Sequence, residues 1–268
     1  MFYNAKNRSV DTGKYIIDYS TFGYGDNVVV ILPGIYGFTT VTAKAFLLAF
    51  QFRQLAKDYR VYFFNRRKNL PEEYTTSEMA DGQAEVMNKL GIKNAYILGF
   101  SMGGMIAQHL AINYPEKVRK LVLGVTTSQP TEVLKNAVNN WIKIVNENNY
   151  KELFINVMEK TYTEKYLIKL RRYYPLMTRI GKPNSFKHFI TESNACLTHN
   201  TYKRLHQIKC QTLIIGGCSD NIVGLDASKE LSDKINNNEL LQYEDFGHGV
   251  IVEEKKCIKE IVNFLKSK

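Results

Sequence analysis

Short apolar runs recur along the chain at residues 15–19, 28–32, 61–64, 96–98, 121–125, 212–215 and 240–243, with segments of helical periodicity between most of them. Runs of this length are too short for helices, and their Val, Ile and Leu content suits strands buried on both faces. Their alternation with helices predicts an α/β chain built on a doubly wound, mostly parallel sheet. SEMADGQAEVMNKLGI (77–92) places Met79, Ala84, Val86, Met87 and Leu90 at helical spacing, with a start expected at Ser77 and a stop at Gly91. EEKKCIKEIVNFLKSK (253–268) reads as a closing amphipathic helix.

The rhythm breaks across residues 128–209, which carry helical patterns but no convincing central strand. This segment is expected to be a helical cap inserted into a core made of 1–127 and 210–268. Leu134, Val138, Trp141, Ile142 and Val145 form one apolar stripe, 153–158 continues another, and YLIKLRRYYPLMTRIG is expected to be stopped by Pro175 and Gly181. Tyr150, Phe154, Tyr162, Tyr166, Tyr173, Tyr174, Phe186, Phe189 and Tyr202 also fall here. Singly each reads as packing; together they could wall a small-molecule pocket.

Composition narrows the function classes. With 268 residues and 44% hydrophobic content the chain can bury a large core. No apolar run approaches the roughly 20 residues that span a bilayer. The opening MFYNAKNRSVDTGKYIIDYS lacks the apolar stretch of a secretory signal, so a soluble, cytoplasmic protein is expected. The cysteines at 196, 210, 218 and 257 show no C-x-x-C spacing and read as reduced thiols, with no metal and no cofactor implied. The net charge of +10 is regional: residues 131–209 hold 14 Lys or Arg against six Asp or Glu, and the rest hold 22 against 20. That excess could steer an anionic substrate or an acidic lipid surface to the segment, although solvated helix faces are the simpler account. No nucleic-acid-binding motif accompanies it.

The chemistry centres on AYILGFSMGGMIAQHL (95–110), where Ser101 stands between Gly99 and Gly103 as a strand gives way to Met105, Ile106, His109 and Leu110 at helical spacing. The two glycines fit a plain turn, or the G-x-S-x-G elbow that lifts a nucleophilic hydroxyl clear of the backbone. A serine needs a base, and the base an orienting acid. Among five histidines, His109 reads as a packed or surface helix residue, and His188, His199 and His206 as surface or core-edge residues of the basic segment. His248, in YEDFGHGV after the last apolar run, is the candidate base. Asp220, in QTLIIGGCSDNIV, is the candidate acid, since acids of open α/β sheets emerge at strand carboxyl ends. Asp226 stands second, and Glu244 and Asp245 lie too near His248 in sequence to reach its far nitrogen. Backbone donors for a developing oxyanion are expected from Met102, which opens a helix, and from Ile35 in LPGIYG, where Gly34 and Gly37 permit close approach.

LPGIYG, GFSMGG, GGCSDNIV and FGHGV follow one another in the order of an oxyanion loop, nucleophile, acid and histidine, and the chain resembles the α/β-hydrolase superfamily over nearly all its length, in particular its cofactor-free members with a helical cap. That resemblance implies Ser101 as nucleophile, His248 as general acid/base, Asp220 as orienting acid, and the Ile35 and Met102 amides as oxyanion donors. It differs from the family pattern at Pro33, where a histidine is common, and at NRRKNL (65–70), where an Asp-x-Arg-Gly-like turn has lost its acid and glycine. A serine at 101 separates it from relatives with an aspartate nucleophile. The expected activity is hydrolysis of a small or lipid-like carboxylic ester, thioester or lactone. The rivals are a ligand sensor of slow turnover and a carbon–carbon hydrolase or lyase using the same three side chains.

Overall fold

The apolar runs lie within one eight-stranded sheet in the computed structural model, which describes residues 3–35 and 45–267. The strands are β1 (Lys6–Asp11), β2 (Ile16–Phe22), β3 (Val28–Leu32), β4 (Arg60–Arg67), β5 (Ala95–Phe100), β6 (Val118–Gly124), β7 (Gln211–Gly217) and β8 (Asn238–Tyr243). Their order is β1-β2-β4-β3-β5-β6-β7-β8; β1 and β2 run antiparallel to their neighbours and the other six are parallel. Helices α1 (Ala45–Gln51), α2 (Arg53–Ala56), α3 (Thr76–Lys89) and α4 (Met102–Asn113) precede β6. Five more, α5 (Glu132–Asn146), α6 (Tyr150–Thr161), α7 (Glu164–Leu170), α8 (Tyr174–Ile180) and α9 (Lys187–Thr198), lie between β6 and β7. Helix α10 (Asp226–Lys234) joins β7 to β8, and α11 (Val250–Glu253) and α12 (Lys255–Lys266) follow.

The period of two along a strand divides the interior into two cores. Val30, Leu32, Ile97, Leu121 and Leu123 pack with α3, α4 and α10. Val29, Ile31, Leu98 and Val122 point the other way, to α1, α2 and α12. Burial on both faces explains why these strands read as continuous apolar runs rather than as alternating ones. Leu134, Val138 and Trp141 of α5, Leu153 of α6 and Phe189 of α9 join the first core, while α7 and α8 pack against α6 in a smaller cluster of their own.

Several local expectations shift. Strand β1, KNRSVD, lacks an apolar run because it is an edge strand with mostly exposed residues. Helix α3 starts at Thr76, one residue before Ser77, and Thr75 is its N-cap, accepting from the Glu78 amide while the Glu78 carboxylate accepts from the Thr75 amide. Pro175 opens α8 rather than ending a helix, since a proline at the first helical turn forfeits no intrahelical bond. In α5, Ile144 is buried where Ile142 is half-buried.

His199 is not an edge residue: it is buried beneath α3 and α4. Its Nδ1 is 2.9 Å from the Thr76 hydroxyl and its ring meets that of His109 edge-on, with centroids 5.3 Å apart. Thr201 donates to Gln108 at 2.5 Å and Gln108 donates to the Thr127 carbonyl at 3.0 Å, which links this layer to the loop after β6. Burial pushes His109 from 6.5 down to about 4 and His199 down to about 3. Below pH 6.5 the unfolded chain therefore takes up protons that the folded chain refuses, and stability falls until the folded values are reached; above 6.5 these histidines contribute no pH dependence. Moving from pH 7 to 4.5 costs on the order of 2 kcal/mol for each of these two histidines. Urea unfolding at the two pH values checks this: His109→Phe is expected to lose less stability than the parent, and an equal loss refutes the assignment.

Candidate active site

Ser101 occupies the corner between β5 and α4 with φ 53° and ψ −124°, a region that side-chain-bearing residues rarely enter. Three contacts hold it there. Its amide donates to the Gly124 carbonyl of β6 at 2.9 Å, and its carbonyl accepts from the Thr126 hydroxyl at 2.7 Å and the Gly104 amide at 2.8 Å. Gly103 is obligatory, because a Cβ there would overlap the Leu32 carbonyl. Val125, at the end of the neighbouring strand, also has a positive φ, 46°, unusual for a β-branched residue.

The structure brings Ser101, His248 and Asp220 together. His248 Nε2 lies 3.0 Å from Ser101 Oγ and His248 Nδ1 lies 2.8 Å from Asp220 Oδ2. A carboxylate only accepts, so Nδ1 carries the proton and Nε2 of the neutral ring is left to accept from the serine hydroxyl. The other Asp220 oxygen accepts from the Ile222 and Val223 amides at 2.8 and 2.9 Å, which fixes the carboxylate before the histidine is added. The acid and histidine loops are laced together by Cys218 and Ser219 amides donating to the Tyr243 and Phe246 carbonyls. Asp226, Glu244 and Asp245 are exposed, as are His188 and His206.

The turn after β3 abuts the serine: a Cβ on Gly34 would sit 3.2 Å from Ser101 Cβ and 3.6 Å from its Oγ. Ile35 lines the same space, while Tyr36 and Gly37 of the expected loop lie outside the described residues. Met102 begins α4, where an amide has no intrahelical acceptor. Ser101 and His248 open into a cavity of about 440 Å³. Leu48, Phe52 and Phe63 wall it from the first half of the chain, and Trp141, Val157, Tyr162 and Phe189 from the helices between β6 and β7. Of the aromatics noted in that segment, Tyr150, Phe154 and Tyr174 instead pack among themselves. Among the described residues the lining includes no Lys, Arg, Asp or Glu, so the basic residues of 131–209 do not face the serine. No group of three or more His, Cys, Asp or Glu side chains among the described residues is placed to hold a metal ion.

The family model for the alpha/beta hydrolase fold matches residues 27–255. The chain belongs to the alpha/beta hydrolase family. Among its relatives, a 2-hydroxy-6-oxononadienedioate/2-hydroxy-6-oxononatrienedioate hydrolase from a Pseudomonas species is 30% identical over 264 residues, spanning 91% of this chain and 89% of that protein. Among solved structures, the alpha/beta hydrolase MGS-M2 from a Medee basin deep-sea metagenome library superposes with a TM-score of 0.86 at 22% identity, covering 98% of each chain. The enol-lactonase of Burkholderia xenovorans LB400 gives 0.83 at 17% identity over 97% of this chain and 100% of that one. At these identities the solved structures establish the shared fold.

In this hydrolase the carboxyl end of β4, where the altered segment 65–70 begins, supplies a residue that motif reading passes over. Arg66 is buried, and its Nη2 donates to the Pro33 carbonyl at 2.6 Å and the Gly34 carbonyl at 3.4 Å, directly behind Ile35. Its Nε lies 3.5 Å from Glu192 of α9, which is also buried. Only the loss of the family's Asp and Gly at 65–70 hinted that this turn packs differently. Glu192 carried no signal, since one acid on a helix reads as solvated. Removing one member of a buried pair strands the other charge, so Glu192→Gln and Arg66→Met are each expected to cost about 3–5 kcal/mol. In urea unfolding the double variant should lose clearly less than the sum of the singles, and additive losses would refute the coupling.

Proposed function

We propose that this hydrolase cleaves neutral, apolar carboxylic esters through an acyl-enzyme on Ser101. The observation that carries the reading is the unbroken hydrogen-bond chain from Asp220 through His248 to Ser101, opening into a cavity whose described lining is uncharged. In this reading His248 Nε2 takes the Ser101 proton as Oγ attacks the acyl carbon, and Asp220 stabilises the imidazolium without being protonated. The oxygen that becomes negative rests on the Ile35 and Met102 amides, each such donor being worth about 3–4 kcal/mol when removed in comparable sites. His248 then passes its proton to the departing alcohol, activates water by the same nitrogen, and the acid is released. The helices of residues 128–209 serve as the cap over the site, and the substrate is a small molecule held by apolar contact.

The lining favours this over cleavage of a diacid. The Pseudomonas relative is named for a substrate bearing two carboxylates. A carboxylate moved into an apolar cavity without a cation or a set of donors is strongly disfavoured, and no cation is present among the described lining residues.

A fluorophosphonate probe is expected to label the parent and not Ser101→Ala; undiminished labelling of the variant would remove Ser101 from the role. With p-nitrophenyl esters as substrates, Asp220→Asn should lower kcat by about 10⁴-fold, with His248→Ala at least as severe. For acyl chains of equal length, a terminal carboxylate is expected to lower kcat/KM by about 100-fold or more relative to a terminal methyl. Equal values would refute the neutral-substrate reading while leaving the nucleophile assignment standing.

A further inference from the structure

The basic excess of the sequence is concentrated on one helical run, α7 through α8, where residues 164–182 hold six Lys or Arg against one Glu. The run has a conventional inner face: Leu167 and Tyr174 are buried and pack with Tyr150 and Phe154 of α6. Its outer face is not conventional. Ile168, Tyr173, Leu176 and Met177 are 66%, 45%, 57% and 37% exposed, on a surface that an ordinary helix would give to polar residues. Ile168 lies in α7, Tyr173 in the 3-10 turn 171–173 that joins the two helices, and Leu176 and Met177 in α8, so exposed apolar groups recur along the whole run.

Cations surround this row. Lys165, Lys169, Arg172 and Arg179 are exposed, and among the described residues none of them forms an ion pair. Arg171, in contrast, is held by Glu159 at 2.6 Å and Glu164 at 2.5 Å, which pins the start of the run to α6. The stems of Lys and Arg can lie along an apolar surface while their charged ends reach a polar plane, the side-chain distribution of a helix resting in a lipid interface. Two copies of this chain would bring like charges together at the same face, so charge complementarity selects an anionic partner. The apolar residues stand exposed among these cations, the combination that a lipid interface with anionic headgroups accommodates.

We propose that the outer face of α7 and α8 docks the protein on anionic lipid membranes, with the apolar row dipping into the interface and the flanking cations meeting the headgroups. The position relative to the cavity fits this arrangement. Tyr162, which lines the cavity, stacks on Tyr166 of α7 with centroids 4.8 Å apart, so the docking run begins at the cavity wall. No helix among the described residues is long and apolar enough to cross a membrane, and docking needs none.

Vesicle flotation of the full chain tests the proposal without relying on any catalytic reading. Vesicles of phosphatidylglycerol mixed with phosphatidylcholine are expected to bind at least ten-fold more tightly than phosphatidylcholine alone, and 0.5 M salt should remove most of that difference. Ile168→Ser/Leu176→Ser and Lys165→Gln/Lys169→Gln/Arg172→Gln should each weaken binding to the anionic vesicles about ten-fold or more, with thermal midpoints unchanged because the substituted side chains are exposed. Equal binding to both vesicle types, or parent-like binding by both variants, overturns the proposal. So does a concentration-dependent dimer in size-exclusion chromatography that Ile168→Ser/Leu176→Ser dissolves, since a second copy would then be the occupant.

Discussion

The relative register of β5, β6, β7 and β8 is the constraint on which the site depends. Phe100 pairs with Gly124 and Gly124 with Ile215, so β5 and β6 end level, while β7 and β8 run on together for two more residues to the Gly217–Tyr243 pair. Ser101 follows the first, Asp220 the third and His248 the fourth, and the hydrogen bonds joining them measure 2.8 and 3.0 Å. One residue of slip would move a strand by about 3.3 Å and turn each of its side chains to the other face. That displacement exceeds what either hydrogen bond tolerates. The two separate cores prevent it, because a slipped strand would exchange the residues that fill them. The positive φ of Ser101 is maintained in the same way, by the Gly124 carbonyl at the end of the adjacent strand and the Thr126 hydroxyl just beyond it.

The parts of this architecture that were legible in the sequence are those with a local physical cause. The central strands β3, β5, β6 and β7 are buried on both faces and so read as continuous apolar runs, and β2, β4 and β8 carry shorter runs among half-buried positions, which leaves one strand without any. The exception, β1, is an edge strand, and its exposed residues carry no such signature. Ser101, His248 and Asp220 could be chosen because the glycines of the elbow answer to a steric need and the acid and histidine follow strands. Ser77 and Thr75 are both plausible helix starts by residue type, and the reciprocal cap with Glu78, three residues on, belongs to Thr75. His199, Arg66 and Glu192 were beyond local reading altogether. Their burial is decided by what folds over them from residues up to 126 positions away, and a polar side chain looks the same in sequence whether it meets water or a partner.

The charge of the protein is likewise sorted by place rather than by amount. The segment between β6 and β7 is the most basic stretch of the chain, yet its contribution to the cavity is apolar. Trp141, Val157 and Phe189 face inward, while Lys165, Lys169, Arg172 and Arg179 face outward. A single block of helices thus offers two surfaces of different chemistry, one sized for a small molecule and one extended. Net charge alone could not distinguish a site for an anion from a surface that meets one.

The Arg66–Glu192 pair bears on how such helical blocks could be exchanged between members of the family. It joins the turn carrying Ile35 to a helix that is more than a hundred residues later in the chain. A block transplanted from a relative without an acid at the position of Glu192 would bring its own pocket walls but would leave a guanidinium buried behind the Pro33 and Gly34 carbonyls with its counter-charge removed. Chimeras designed only by matching the shape of the cavity would therefore be unstable for a reason lying outside it. Moving residues 66 and 192 as a unit keeps the graft compatible with its host.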